Sequence, residues 1–309
     1  MSLSRHLLLR ASRSDRLREA FPRLPFADRA VRRFMPGERA EDALDAARVL
    51  DRHGLTTVLT QLGENVTELA EADLVADHYL GVLDEIGCRG LDAEISVKPT
   101  HLGLDLDYDR TLGNLERLAV RSRGLERWLW IDMESSSYVE PTLRLFRALR
   151  ARHTNVGVCL QAYLYRTADD LAALLPLDPG IRLVKGAYSE PEDVAYPRKQ
   201  EVDEGYMRLA ETLLDAQRGG SVRAAFATHD LALITWIRQR AQEKGMDAGE
   251  LEFQMLYGIR SEQQRRLAAA GCRTRVLISY GEAWFPWYMR RLAERPANVW
   301  FVARSALPW

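Results

Sequence analysis

Side chains able to do chemistry fall in a few short runs. Arg182, Lys185 and Tyr188 share one, with Gly186 and Ala187 between them. Thr228, His229 and Asp230 form a second, and Gln254 with Tyr257 a third. Upstream stand Glu64, Lys98, Asp132 beside Met133, and Gln161. Near the C-terminal end Arg290 and Arg291 are adjacent, in a stretch that also carries Trp284, Phe285, Trp287 and Tyr288. On a helix, neighbouring residues point about 100° apart. Two guanidinium forks at that angle suit a carboxylate gripped through bidentate bonds. Glu294 follows Arg290 by four positions and Arg291 by three, so it can pair with either. The bland alternative is a solvated helix face. Each of the other charges, taken singly, also has a structural reading as a strand-end ion pair.

What joins these residues is where they fall in the pattern of elements. Short apolar, β-branched runs alternate with amphipathic stretches almost to the end of the chain. The runs are 56–61, 94–98, 128–133, 156–161, 181–186, 223–228, 251–256 and 275–280. Helices are expected near 66–86, 110–122, 139–152, 168–175, 201–217, 231–244, 261–270 and 284–294. Eight βα units with near-continuous apolar strands predict a closed parallel (β/α)8 barrel of the TIM type. An open doubly wound sheet is the alternative. Its usual glycine fingerprint is missing after the first strand, which ends in QLGEN. Residues 1–50 read as an N-terminal helical arm, clearest over 39–53, and 51–309 as the catalytic barrel; no Gly- or Pro-rich linker divides them.

In such a barrel the active site lies at the C-terminal ends of the strands. All the polar residues named above from the strand ends then ring one mouth. Together they are far more telling than singly, because charge buried at a mouth costs several kcal/mol unless paired or used on a ligand.

Composition excludes several classes. The chain has 309 residues, a formal net charge of -1, 47% hydrophobic and 28% charged residues, which is ordinary for a globular protein and argues against a nucleic-acid binder. Cys88, Cys159 and Cys272 show no metal-ligand spacing, and scattered free thiols suit a reducing cytoplasm. His229 lacks partners at metal spacing, so no metal is expected. No run reaches the roughly 20 apolar residues of a membrane span. The basic, leucine-bearing N-terminus reads as a solvated accessory helix, with peripheral contact at the inner face of the membrane as the second expectation. There is no nucleophile elbow and no phosphate loop ending in GK[ST].

The runs RLVKGAY (182–188), ATHD (227–230), FQMLYGI (253–259) and WYMRRLAERPAN (287–298), in this order, resemble proline dehydrogenase. The short monofunctional bacterial type is most similar, from about Val31 to Ser305. The resemblance implies a (β/α)8 barrel holding FAD non-covalently and oxidising L-proline to Δ1-pyrroline-5-carboxylate. It implies that Lys98, Arg290 and Arg291 hold the substrate carboxylate and that Asp132 orients them. Arg182 would sit near flavin N5. Met133, Gln161, Lys185, Gly186, Ala187, Thr228 and His229 would line the FAD site, with Gln254 and Glu294 also expected there. Tyr188 would close the pocket, and Glu64 would pair with Arg290 as a gate. A quinone-type acceptor is implied by the family alone.

The last strand departs from the family pattern. Where a tyrosine over the substrate ring is expected stands Leu277, and Ser279 replaces a proline. The pocket should then be roomier, so a modified proline such as hydroxyproline is the alternative substrate, with Ser279 or Tyr280 as a source of a hydrogen bond. A Schiff-base lyase using Lys185 and a non-catalytic barrel are the remaining alternatives.

Overall fold

The structure is a computed structural model and describes residues 31–285 and 288–289. Eight strands pair in parallel and in sequence order, and β8 closes on β1. They are β1 (Thr56–Gln61), β2 (Ala93–Val97), β3 (Leu129–Ile131), β4 (Val156–Gln161), β5 (Gly180–Val184), β6 (Arg223–Ala227), β7 (Glu252–Leu256) and β8 (Arg273–Tyr280). The helices are α1 (Ala40–Asp51), α2 (Leu69–Cys88), α3 (Tyr108–Gly124), α4 (Val139–Arg150), α5 (Thr167–Leu174), α6 (Lys199–Arg218), α7 (Leu231–Glu243) and α8 (Ser261–Ala269). The expected TIM-type barrel is therefore the observed fold. The third strand is shorter than its apolar run, because regular pairing stops at Ile131, although Asp132 N still donates to Val97 O at 2.8 Å. The last begins at Arg273, two residues before its apolar run.

Period-two alternation divides every strand between two environments. Ile95, Leu129, Val158, Phe226 and Ile278 face the helices and join the main core. The other face points to the barrel axis. Here Trp128 and Trp130 stack with centroids 6.0 Å apart. Gly157 and Gly180 leave room for them: a Cβ on Gly157 would lie 2.5 Å from the Trp130 ring, and one on Gly180 2.4 Å from Trp128.

Beside the indoles, towards the N-terminal ends of the strands, lies a buried group of charges. Arg223 bonds Glu94 at 2.7 Å and Glu252 at 2.8 Å, and Arg275 lies 3.4 Å from each carboxylate. Trp130 Nε1 donates to Glu94 at 2.7 Å, and the Arg223 guanidinium stands 4.8 Å from the Trp128 centroid. Burial alone would push the Glu252 carboxyl up; Arg223 and Arg275 reverse this and hold it below its ordinary value.

The outer layer has one irregularity that matters for function. α1 packs against β1 and β8, burying Ala43, Leu44 and Ala47 in the main core. It therefore takes the flank where the helix after β8 would otherwise lie. The segment beginning at Trp284 packs elsewhere: Trp284, Phe285, Tyr288 and Met289 form a separate cluster with Val31, Phe34, Met35 and Leu62. Leu62 belongs to the turn that leaves β1, so this cluster sits at the mouth.

Replacing one carboxylate of the buried charge group should cost stability out of proportion to its size. Glu252→Gln leaves two buried guanidiniums facing one carboxylate, and the expected loss is about 3–5 kcal/mol. Urea unfolding monitored by tryptophan fluorescence measures it; an unchanged midpoint and slope would show that the four charges are not energetically linked.

Candidate active site

The centre of the mouth is an ion pair between β5 and the end of β3. Arg182 Nη2 contacts Asp132 Oδ1 and donates to Ser96 Oγ at 2.7 Å, while Ser96 Oγ donates to Asp132 at 2.8 Å. The guanidinium carbon lies 5.4 Å from the Trp130 centroid. Arg182 is 2% exposed, and its Nη1 has no hydrogen-bond partner among the described residues. Burial works against its charge, yet Asp132 beside it raises the guanidinium above its ordinary value. The Cys159 thiol lies against the same pair, and burial pushes it up. Ser96 and Trp130 were not anticipated from sequence. The signal was available: they face the axis two residues before Lys98 and Asp132 respectively, on the same side of their strands.

Next to this pair, three strand ends are tied by one buried carboxylate. Glu134 accepts from Thr100 N at 3.0 Å and from Thr100 Oγ1 at 2.6 Å. Thr100 Oγ1 in turn accepts from Asn65 N at 3.1 Å, and its carbonyl from Val66 N at 3.3 Å. Asn65 has φ 52°, so the backbone turns sharply just after Glu64. Lys98 sits at the head of the short 3₁₀ turn Pro99–Leu102 and is half-buried. Burial pushes Glu134 up to about 7, against the opposing bonds from Thr100 and the charge of Lys98. His101, in the same turn, is held neutral down to about 4 by burial and by the nearby Lys98 charge.

On the far side of the mouth, Lys185 Nζ binds Asp203 Oδ1 at 2.5 Å and Asp230 Oδ2 at 2.9 Å. Gly186 has φ 113°, and a Cβ there would meet the Tyr163 ring at 2.2 Å, so only glycine fits between this ring and the turn. Ala187 and Tyr188 are half-buried beside it. Thr228 Oγ1 accepts from Asp230 N at 3.1 Å, and His229 Nε2 accepts from Leu256 N at 2.9 Å. That bond places the proton of a neutral His229 on Nδ1 and employs Nε2 in holding β6 to β7. The Met133 side chain lies in the main core. Gln161 Nε2 donates to the carbonyls of Met133 and Glu134 at 3.5 and 3.2 Å. Gln254 Nε2 donates to Glu252 at 2.8 Å.

In β8 the alternation separates three residues considered together from sequence. Leu277 and Ser279 point to the axis. Leu277 is half-buried against Val58, Trp130 and Ala225. Tyr280 points outward, and its hydroxyl lies 3.0 Å from His78 Nε2 of α2. Tyr280 therefore offers no hydrogen bond to a molecule on the axis, because consecutive residues face opposite sides of a strand. Arg290, Arg291 and Glu294 lie outside the described residues.

The mouth has unspent hydrogen-bonding capacity suited to a flat polar ring. Gln161 Oε1, Arg182 Nη1, Gln254 Oε1 and Ser279 Oγ are all buried without a partner among the described residues. They come from four different strands and include both donors and acceptors. Buried polar atoms are rarely left so. The residues present thus fit the FAD that the resemblance implies. Among the described residues no group of three His, Cys, Asp or Glu side chains is placed to hold a metal ion.

Comparison with known proteins shows the family and the fold. The profile of the proline dehydrogenase family matches residues 43–304. Proline dehydrogenase 1 of Bacillus subtilis subsp. natto is 39% identical over 277 residues, covering 90% of each chain. The proline dehydrogenase of Deinococcus radiodurans is 38% identical over 280 residues and 89% of each chain. Among solved structures, proline utilization A from Bdellovibrio bacteriovorus, inactivated by N-propargylglycine, has a TM-score of 0.80 at 23% identity. The match covers 87% of this chain and 33% of that one, and it shows the shared fold.

The buried histidine at the mouth makes a pH test. A base depressed in the fold contributes stability that is present above its unfolded value of 6.5 and is lost as pH falls towards 4. His101→Gln removes that titration. Subtracting the two stability-versus-pH curves from urea unfolding should show the wild type losing up to about 1.4 kcal/mol per pH unit more than the variant in that window. Parallel curves would place His101 in water.

Proposed function

Because the chain belongs to the proline dehydrogenase family, we propose how its own residues serve the oxidation of L-proline to Δ1-pyrroline-5-carboxylate, the first step of proline catabolism. Bound FAD would supply the redox chemistry, as the acceptor of the hydride that the proline ring loses. The protein's tasks are to hold the ring, to keep the amine neutral and to set the charge around the flavin.

In this reading Lys98, Arg290 and Arg291 hold the substrate carboxylate. Three cations around one carboxylate also disfavour a protonated amine, and a neutral nitrogen lone pair is what hydride loss requires. Fixing the ring in a single pose converts an encounter into an oriented reaction. The packing of Trp284 and Met289 at the mouth supports this, because Met289 immediately precedes Arg290 in the sequence. Tyr188 closes the pocket, and Glu64 pairs with Arg290 as a gate that excludes water. Asp132 keeps Arg182 charged and fixed, and Arg182 stabilises negative charge on the flavin. The observation that carries the reading is its Nη1: a buried cationic donor at the mouth with no partner among the described residues. Met133, Gln161, Lys185, Gly186, Ala187, Thr228, His229, Gln254 and Glu294 line the FAD site. Residues 51–309 carry this site and 1–50 are an accessory arm. The electron acceptor is a quinone, and the enzyme works in the cytoplasm with peripheral contact at the membrane. No described helix is long and apolar enough to cross one. A lyase using Lys185 is not favoured, since its Nζ is committed to Asp203 and Asp230.

Anaerobic mixing of the purified yellow protein with L-proline should bleach its visible band and release one pyrroline carboxylate per flavin. A protein that stays yellow, or bleaches without that product, would contradict the assignment. The clamp has its own test: Arg290→Lys and Arg291→Lys should each lower kcat/KM by the equivalent of roughly 1.5–3 kcal/mol with FAD content retained, since lysine lacks the planar fork. Wild-type kcat/KM in both would remove the two arginines from the site. One specific observation favours a broader substrate range, the small interior side chain of Leu277. Leu277→Tyr should sharpen the preference for L-proline over 4-hydroxyproline by about 10–200-fold. Equal ratios of kcat/KM in the two proteins would mean that Leu277 does not face the substrate.

A further inference from the structure

We propose that Thr100 and Glu134 form a positioning device that sets both the clamp lysine, Lys98, and the gate residue, Glu64. The inference rests on the assignment of Lys98 to the substrate carboxylate, and it adds two residues that touch neither substrate nor cofactor. Thr100 receives two bonds from the β1 turn, one at its hydroxyl from Asn65 N and one at its carbonyl from Val66 N. It gives two bonds to Glu134, from its backbone N and its hydroxyl. Both carboxylate oxygens are thereby used on a single residue, which fixes the rotamers of both partners. Lys98 precedes Thr100 by two residues, and its carbonyl accepts from His101 N at 3.1 Å, so the 3₁₀ turn that Glu134 holds is the turn that starts at Lys98. Glu64 directly precedes Asn65.

A plain structural role would be met by any buried hydrogen bond. The arrangement does more, because the residue at its centre joins the loops that carry a cation and an anion of opposite tasks. Glu134 is 3% exposed, and its backbone carbonyl also accepts from Gln161. The device is thus anchored to β4 and shares the rigidity of the barrel. Preorganised cations bind a carboxylate without first being ordered, which is where the device acts. Its loss should weaken carboxylate binding and leave the oxidation step itself nearly unchanged.

The experiment uses FAD-loaded Thr100→Val, Thr100→Ser and Lys98→Met. Tetrahydrofuran-2-carboxylate, a proline-sized ring acid that cannot be oxidised at nitrogen, is titrated against each and followed by perturbation of the flavin band. Kinetics with L-proline are measured in parallel. Thr100→Val, similar in shape but without the hydroxyl, should raise Kd and KM about tenfold, the scale of one buried hydrogen bond to a charged group, with kcat within about twofold. Thr100→Ser restores the hydroxyl and should recover most of the affinity. If Thr100→Val does not fold, Glu134→Gln is titrated instead, with the same rise expected. An unchanged Kd in Thr100→Val beside a weakened Lys98→Met overturns the positioning role alone. A Lys98→Met protein that binds the acid normally overturns the clamp assignment and the proposal with it. A fall in kcat at constant Kd also overturns the proposal.

Discussion

Charge inside a closed barrel has nowhere to go. The interior is walled by eight strands, and each ion placed there must be matched by another or used on a ligand. This constraint organises the protein. Towards the N-terminal end Glu94 and Glu252 face Arg223 and Arg275, and the two signs balance. Above them the stacked Trp128 and Trp130 fill the axis and meet the guanidiniums with their faces. At the top Arg182 is balanced by Asp132, but one of its nitrogens remains unspent. Where the barrel opens, Gln161 Oε1, Arg182 Nη1 and Ser279 Oγ are buried without a partner among the described residues, which is where we propose that the cofactor and the carboxylate substrate bind.

The second organising feature is the path of the chain after β8. With α1 packed on β1 and β8, the flank after β8 is filled. The chain leaving Tyr280 turns through Gly281 at φ 117°, and Leu62 N donates to Tyr280 O at 2.7 Å. Trp284 then donates to Glu38 at 2.8 Å, and its aromatic neighbours bury themselves on Phe34 and Met35. A helix on the wall thus leaves the segment from Trp284 to pack at the mouth. That packing joins two segments far apart in the chain, 31–35 and 284–289.

Much of this was legible in the sequence. The barrel follows from the alternation of apolar runs and amphipathic stretches, and the mouth from the rule that strand C-termini carry function. Motif order pointed to the family, which the comparisons bear out. What was not legible depends on which way a side chain faces across the barrel. Tyr280 and Ser279 are neighbours in sequence, yet one meets His78 outside and the other the axis. Trp130 read as an apolar strand residue, and only the closed geometry reveals that it supports Arg182. Nothing in the sequence pattern singles out Thr100 and Glu134, since their partnership spans two strand ends. Lys185 looked like a candidate nucleophile until its two carboxylate partners from α6 and the start of α7 were visible.

The proposed function turns on Arg182, held charged by Asp132, presenting its unpaired nitrogen to the flavin. The midpoint potential of bound FAD in Arg182→Lys, measured by anaerobic spectroelectrochemistry against the wild type, tests it most directly. Lysine keeps the charge opposite Asp132 but has no second donor. Normal FAD content and a two-electron potential lower by roughly 30 mV or more, the equivalent of about 1.4 kcal/mol, are expected. An unchanged potential in a fully loaded variant would contradict it.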